Sequence, residues 1–188
     1  DKVAIAESEE DKQKFQGLID ILIPIVKSYC TEKGFEVCTT GVQAFGGYGY
    51  IQEYPQEQLL RDCLITKIYE GTNGIQAMDL LGRKLGVNKG KPFIDLLGEM
   101  GNTVALSRDY PELEKMTEKV DAAISKLGDV AMHIGMSAMS EKALDAFGSA
   151  SLFLQATGDT CMAWHLLWRA AVASEKLKKA KKKDISFY

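Results

Sequence analysis

The stretch Leu113–Ala138, LEKMTEKVDAAISKLGDVAMHIGMSA, decides the fold class. Its apolar residues Leu113, Met116, Val120, Ile124, Leu127, Ala131, Ile134 and Ala138 recur at threes and fours almost without a fault. An α-helix turns once every 3.6 residues, so this spacing lines one face; a strand requires alternation at a period of two. The same rhythm runs on both sides. Phe15, Leu18, Ile19, Leu22, Val26, Tyr29 and Cys30 make a stripe on a first helix, where Pro24 removes one backbone hydrogen bond and is expected to kink the chain. A second helix is expected from about Phe35 to Phe45, ended by Gly46-Gly47-Tyr48-Gly49-Tyr50, whose glycines oppose regular helix. Pro55 suits the first turn of the next helix, with apolar face Leu59, Leu60, Cys63, Leu64 and Ile68. Glu70-Gly71-Thr72-Asn73-Gly74 is another break, before a helix bearing Ile75, Met78, Leu81, Gly82 and Leu85. Beyond Ala138, Leu144, Phe147, Ser151 and Leu154 continue on a further helix. Gly158-Asp159 is expected to break it, and Asp159 or Thr160 to cap a last helix with stripe Cys161, Trp164, Trp168 and Val172. No segment alternates strictly, so strands should be few or absent. The expected fold is all-α, a helix bundle followed by a second helical-bundle module. Gly86–Pro92 (GVNKGKP) reads as a linker, dividing residues 1–87 from residues 92–188.

Composition narrows the function. The chain has 188 residues, enough for one domain or two small ones, and can bury a core without disulfides or metals. Hydrophobic residues at 46% and charged residues at 26% exclude a disordered, collagen-like or disulfide-scaffold protein. A net charge of -3 gives no support to nucleic-acid binding. Six lysines lie within Lys176–Lys183 (KLKKAKKK), and taking away their charge leaves -9. Such a run suits the negative end of a helix dipole; contact with a membrane or nucleic acid is the sharper alternative. Cys30, Cys38, Cys63 and Cys161 form no CxxC, and His133 and His165 lie far from any cysteine pair, which argues against zinc. They read as buried free thiols in a reducing compartment, cytoplasmic or another interior one. His133, near Met132 and Met136, reads as partly packed. The longest apolar run, Leu18–Val26, is broken by Asp20 and Pro24 and falls short of the roughly 20 residues a membrane-spanning helix needs. The sequence begins at Asp1 without Met or signal peptide, as expected for a piece of a longer polypeptide.

HExxH, GxSxG and EF-hand patterns are absent, and Gly47-Tyr48-Gly49-Tyr50-Ile51-Gln52 lacks the third glycine of a dinucleotide fingerprint. Two segments remain as carriers of chemistry. Gly41–Tyr50 ends a helix in glycines, exposing backbone to a partner that approaches closely. In Arg61–Gln76, Glu70 stands at a helix break beside the free N–H groups of the next helix start, a setting for an oxyanion or phosphate and for a general base. On the residues alone, Thr72 or Asn73 as a simple cap and Glu70 as a dipole partner is the better reading.

Gln43-x-Phe45-Gly46-Gly47-x-Gly49-Tyr50, then Arg61-Asp62, then Ile68-Tyr69-Glu70-Gly71-Thr72-Asn73 resemble the carboxyl-terminal domain of the flavin-dependent acyl-CoA dehydrogenases. The likeness covers roughly residues 10–86. Residues 92–180 resemble the helical module that follows that domain in a longer subgroup, around Phe153–Gly158 and Ala163-Trp164. The resemblance implies an oxidoreductase of fatty acid metabolism that introduces an α,β double bond into an acyl-CoA thioester. Glu70 then matches the base that takes the α proton, and Tyr69 and Gly71 match residues beside the substrate. The backbone N–H of Glu70 would help hold the thioester oxygen as charge develops on it, and a base removed from water is the better matched to such a transfer. Gln43, Phe45, Gly46 and Gly47 match a stretch that approaches the adenine-diphosphate half of FAD from a neighbouring subunit. Thr72 and Asn73 match residues near the flavin phosphates. Gly74 stands where some members carry Gln, and Arg61 with Asp62 reads better as an interhelical ion pair. Implied partners are an acyl-CoA, an electron-transfer flavoprotein as electron acceptor, and further copies in a dimer or tetramer, with no nucleic acid and no transmembrane segment. The family's amino-terminal helical and middle β domains, and the first helix of the bundle, are not in this sequence. An apolar stripe should therefore lie uncovered, to be satisfied by dimerisation, helix exchange or the added module, and the chain alone is expected to bind FAD weakly and not turn over. The alternative is a non-catalytic helical assembly or interaction module, for which Glu70→Gln would be neutral.

Overall fold

Ser8 followed by Glu9, Glu10 and Asp11 is a helix start: the Ser8 hydroxyl accepts from the Asp11 N–H at 3.0 Å, and three carboxylates face the positive end of the dipole. In the computed structural model, which describes residues 2–178, 180 and 181, a short α1 (Lys2–Ile5) precedes this start. The helix it opens, α2 (Glu9–Phe45), runs 37 residues, about 55 Å. The two helices expected here are one. Helix continues through Pro24, which is buried with Ile21, Ile25, Ser28 and Tyr29, so packing offsets the lost hydrogen bond. The buried face is also rotated from the expected stripe. Tyr29 is buried and Leu18 and Leu22 pack against the core, whereas Ile19, Val26 and Cys30 are exposed.

A tight turn at Gly46–Gly49 ends α2, as its glycines foretell, with Gly46 at φ 60°. Pro55 stands immediately before α3 (Gln56–Leu64), one position earlier than expected. Leu60 and Cys63 are half-buried, while Leu59 and Leu64 are exposed. After the Glu70–Thr72 break comes α4 (Asn73–Gly82), which buries Ala77, Leu80 and Leu81 and ends before Leu85.

Gly86–Pro92 is a tight connection. Asn88, Lys89 and Gly90 all take positive φ, and Pro92 sits in the first turn of α5 (Lys91–Ser107). The spacing of Phe93, Leu96, Met100 and Val104 would have announced α5, which the sequence reading passed over; all four are buried. Next, α6 (Glu114–Ala138) follows the quoted stretch closely, burying Val120, Ile124, Leu127 and Ile134. Then α7 (Ala143–Gly148) leads to α8 (Ala150–Leu177). Helix α8 does not break at Gly158-Asp159, because Gly158 is the point where another helix comes closest. A Cβ there would lie 2.6 Å from Tyr29 Cγ, and the Tyr29 hydroxyl donates to Asp159 at 2.8 Å. The α8 stripe is Cys161, Trp164, Leu167 and Ala171, shifted from the expected one, with Trp168 and Val172 more exposed.

One apolar core joins these helices: Ile21 and Ile25 of α2 and Leu80 of α4 belong with Phe93, Leu96 and Met100 of α5 and Phe153, Leu154 and Leu167 of α8. The fold is all-α, and no strand occurs among the described residues. Of the four free thiols only Cys161 is buried; Cys30 is exposed, and Cys38 and Cys63 lie between. His133 is exposed rather than packed, since it sits off the buried α6 face. Among the described residues no helix is long and apolar enough to cross a membrane. Of the lysine run, Lys178 lies over the Tyr110 ring at 4.4 Å, whereas Lys179, Lys182 and Lys183 lie outside the described residues.

Candidate functional site

Both chemistry-bearing segments are built on α2. The glycine turn caps its C-terminal end, and the Glu70 loop packs against its middle, where Asn73 meets Ser28, Thr31 and Glu32. At 1.5 Å per residue, the sixteen positions from Cys30 to Gly46 separate them by about 24 Å along the axis.

Glu70 is a non-glycine residue at φ 54°, a left-handed conformation that costs roughly 1–3 kcal/mol and persists only where its surroundings hold it. Gly71 follows at φ 82°, and a Cβ there would meet Gln76 Nε2 at 2.9 Å. The Gln76 amide donates to the Glu70 carbonyl at 3.0 Å, closing the loop over the first turn of α4. The Thr72 hydroxyl accepts from the Ile75 N–H at 3.3 Å, the expected cap. Among the described residues no acceptor engages the Glu70 or Gly71 N–H. Glu70 and Tyr69 are exposed, so the described residues do not shield the carboxylate from water.

Four residues that the motif reading missed hold the loop in place. Lys67 pairs with Glu32 at 2.7 Å, and Lys27 donates to Asn73 Oδ1 at 2.8 Å and to the Lys67 carbonyl at 3.4 Å. Gln76 is the fourth, through its bond to Glu70. Lys27 and Glu32 lie between 35 and 46 positions from their partners, which no local spacing reveals. Arg61 pairs with Glu57 one turn earlier on α3 at 2.8 Å, so the expected interhelical pair is an intrahelical one.

At the other segment, Gln43, Phe45, Gly46 and Gly47 are all exposed, and a Cβ on either glycine would meet nothing within 4 Å. The edge-to-face pair Tyr48–Tyr54 stands beside them. A cleft of about 530 Å³ opens alongside, lined by residues including Val42, Tyr50, Gln52 and Arg61. These features fit one side of a flavin dinucleotide: bare backbone for the diphosphate, exposed aromatic surface for a flat ring, and no enclosure that would hold the whole molecule.

Residues 3–85 match the family described as acyl-CoA dehydrogenase, C-terminal domain, and residues 96–188 match the family described as acetyl-CoA dehydrogenase C-terminal like. The chain belongs to the acyl-CoA dehydrogenase family. Its acyl-CoA dehydrogenase relatives include 3-methylmercaptopropionyl-CoA dehydrogenase of Ruegeria pomeroyi, 32% identical over 174 residues, 91% of this chain and 29% of the relative. A butyryl-CoA dehydrogenase of Syntrophomonas wolfei is 36% identical over 128 residues, 66% of this chain and 21% of that protein. The crystal structure of Caenorhabditis elegans ACDH-11 in complex with C11-CoA superposes on 96% of the chain with a TM-score of 0.67 at 20% identity, and 29% of that chain is covered. That likeness concerns the fold. The chain thus spans about a fifth to three tenths of the length of the relatives it matches.

Proposed function

We propose that this chain supplies the base-bearing carboxyl-terminal part of an FAD-dependent acyl-CoA dehydrogenase, in which Glu70 removes the α proton of an acyl-CoA thioester. The observation that carries the reading is the Glu70 loop: a carboxylate-bearing residue in a left-handed conformation, braced from α2 and by Gln76, beside backbone N–H groups that have no acceptor among the described residues. Proton removal places negative charge on the thioester oxygen, and the Glu70 N–H is a fixed donor for it. Glycine at position 71 leaves room for an acyl-CoA to pass close to the backbone, and Tyr69 offers an exposed ring beside it. FAD held beside the loop would supply the acceptor for the hydride of the β carbon. Thr72 and Asn73 at the start of α4 suit its phosphates through backbone N–H groups and the helix dipole. Gln43, Phe45, Gly46 and Gly47 suit its adenine-diphosphate half. The 24 Å between the two segments supports their serving different active sites in an oligomer.

In this reading residues 1–87 are the incomplete catalytic bundle and residues 92–188 an added helical module. Electrons pass to an electron-transfer flavoprotein, and the exposed free thiol of Cys30 suits a reducing interior such as the cytoplasm. A second reading, assembly without catalysis, is favoured by the outer face of α2, where Ile19, Ile23, Val26 and Val37 lie exposed in coiled-coil register. The full-length protein containing this chain distinguishes the two. Bleaching of bound flavin by acyl-CoAs without oxygen, lost in Glu70→Gln with flavin retained, is the expected result; full activity in Glu70→Gln would leave only assembly.

A further inference from the structure

The loop bearing Glu70 is pinned to α2 at both shoulders by one carboxylate. Glu32 Oε2 takes the Lys67 ammonium at 2.7 Å, and Glu32 Oε1 accepts from the Asn73 amide at 2.8 Å. Lys67 lies three residues before Glu70 and Asn73 three residues after it. Lys27, little more than one turn earlier on α2, repeats the pattern with the opposite charge: it reaches the Lys67 carbonyl and the Asn73 side-chain oxygen. The Asn73 amide also donates to Thr31 Oγ1 at 3.0 Å, so both its polar atoms are turned to α2 and only its backbone remains for a ligand. The stem of Lys67 is steadied in turn, its ammonium 4.6 Å from the Phe35 ring centroid.

We propose that Glu32 and Lys27 are positioning residues: from α2 they bridge Lys67 and Asn73 and so hold the strained backbone of Glu70 in place. The inference rests on Glu70 being the base, and it adds a pair of charged residues on which the rate depends. Neither side chain touches the reacting atoms, and their effect runs through the loop.

The test uses the full-length flavoprotein with Glu32→Ala, Glu32→Gln and Glu32→Asp, read by rapid flavin reduction with acyl-CoA and by amide hydrogen exchange of residues 67–73. A misplacement of about 1 Å costs on the order of 100-fold in rate. Glu32→Ala is therefore expected to lower the reduction rate constant 10- to 100-fold, with KM changed less than about threefold. Exchange should rise in the loop but not in α5 or α8. Glu32→Gln, which keeps an acceptor for Asn73, should fall between, and Glu32→Asp should recover part of the rate. An unchanged rate and unchanged loop exchange in Glu32→Ala would overturn the proposal, as would loosening spread evenly over every helix. If Glu32→Ala does not fold, Glu32→Gln carries the same comparison. If the unsubstituted protein does not reduce flavin, Glu70 as base fails; loop exchange then still decides whether Glu32 holds the loop.

Discussion

Single side chains carry the sharpest consequences. Alanine at Gly158 would gain about 1 kcal/mol of helix propensity. It would also drive a methyl group into the Tyr29 ring, and overpacking of that kind costs about 1–3 kcal/mol. Gly158→Ala is therefore expected to lower the unfolding midpoint in urea, whereas Gly98→Ala on α5, where a Cβ meets nothing within 4 Å, should raise it. A second measurement concerns the thiols. Burial pushes the Cys161 thiol up to about 12, so it stays protonated near neutrality. Alkylation followed by mass spectrometry should mark exposed Cys30 first and Cys161 only on unfolding; early Cys161 labelling would contradict the packing of α8. The Glu32 carboxyl is pushed up by its burial, but hydrogen bonds from Lys67 and Asn73 and the charges of Lys67 and Lys27 outweigh this and lower it. A lowered carboxyl stabilises the fold above its ordinary value of 4.5 and loses that contribution as the pH falls through the lowered value. Loop protection in hydrogen exchange should accordingly hold from pH 7 to 5 and fail on further acidification. The residues proposed for the chemistry stand where the sequence breaks a helix: Glu70, Gly71 and Thr72 precede α4. Their holders were not legible in the sequence, since Lys27 and Glu32 look like ordinary surface charges on a long helix until folding brings Asn73 to them.

At the scale of elements, the stretch Leu113–Ala138 was legible because its period is clean and polar residues such as Glu118, Lys119, Ser125, Lys126 and Asp129 stand outside its buried face. Helix α2 was not, because apolar residues surround it: the stripe that seemed to face the core is partly the outer one. Helix α8 misled in the opposite way. A glycine beside an aspartate usually ends a helix, but here it admits a neighbouring ring, and tertiary packing prevails over propensity. The omitted α5 lies in the middle of the core. Leu96→Ala, at a fully buried position, should cost about 2–5 kcal/mol by denaturant titration. Thr103→Val should cost about 1–3 kcal/mol, because the buried Trp164 indole N–H donates to the Thr103 hydroxyl at 2.7 Å and would be left without an acceptor. A Thr103→Val protein as stable as the parent would show that the bond contributes nothing.

For the molecule as a whole, the unequal distribution of apolar surface matters most. Ile19, Ile23, Val26 and Val37 leave α2 with a bare apolar seam. The chain in isolation should associate with itself as concentration rises in sedimentation, and Ile23→Lys with Val26→Lys should return it to monomer. Helix α2 also works as a ruler. It grips the Glu70 loop near Glu32 and presents the glycine turn beyond Phe45, with unbroken helix between. One residue inserted in that interval would swing the turn through about 100° about the axis while advancing it only 1.5 Å. Seven would restore its bearing to within about 20° but move it roughly 10 Å outward. Lineages descending from this sequence should therefore vary in the exposed side chains of that interval, such as Glu36, Thr39 and Thr40, and hardly at all in the number of residues from 33 to 44.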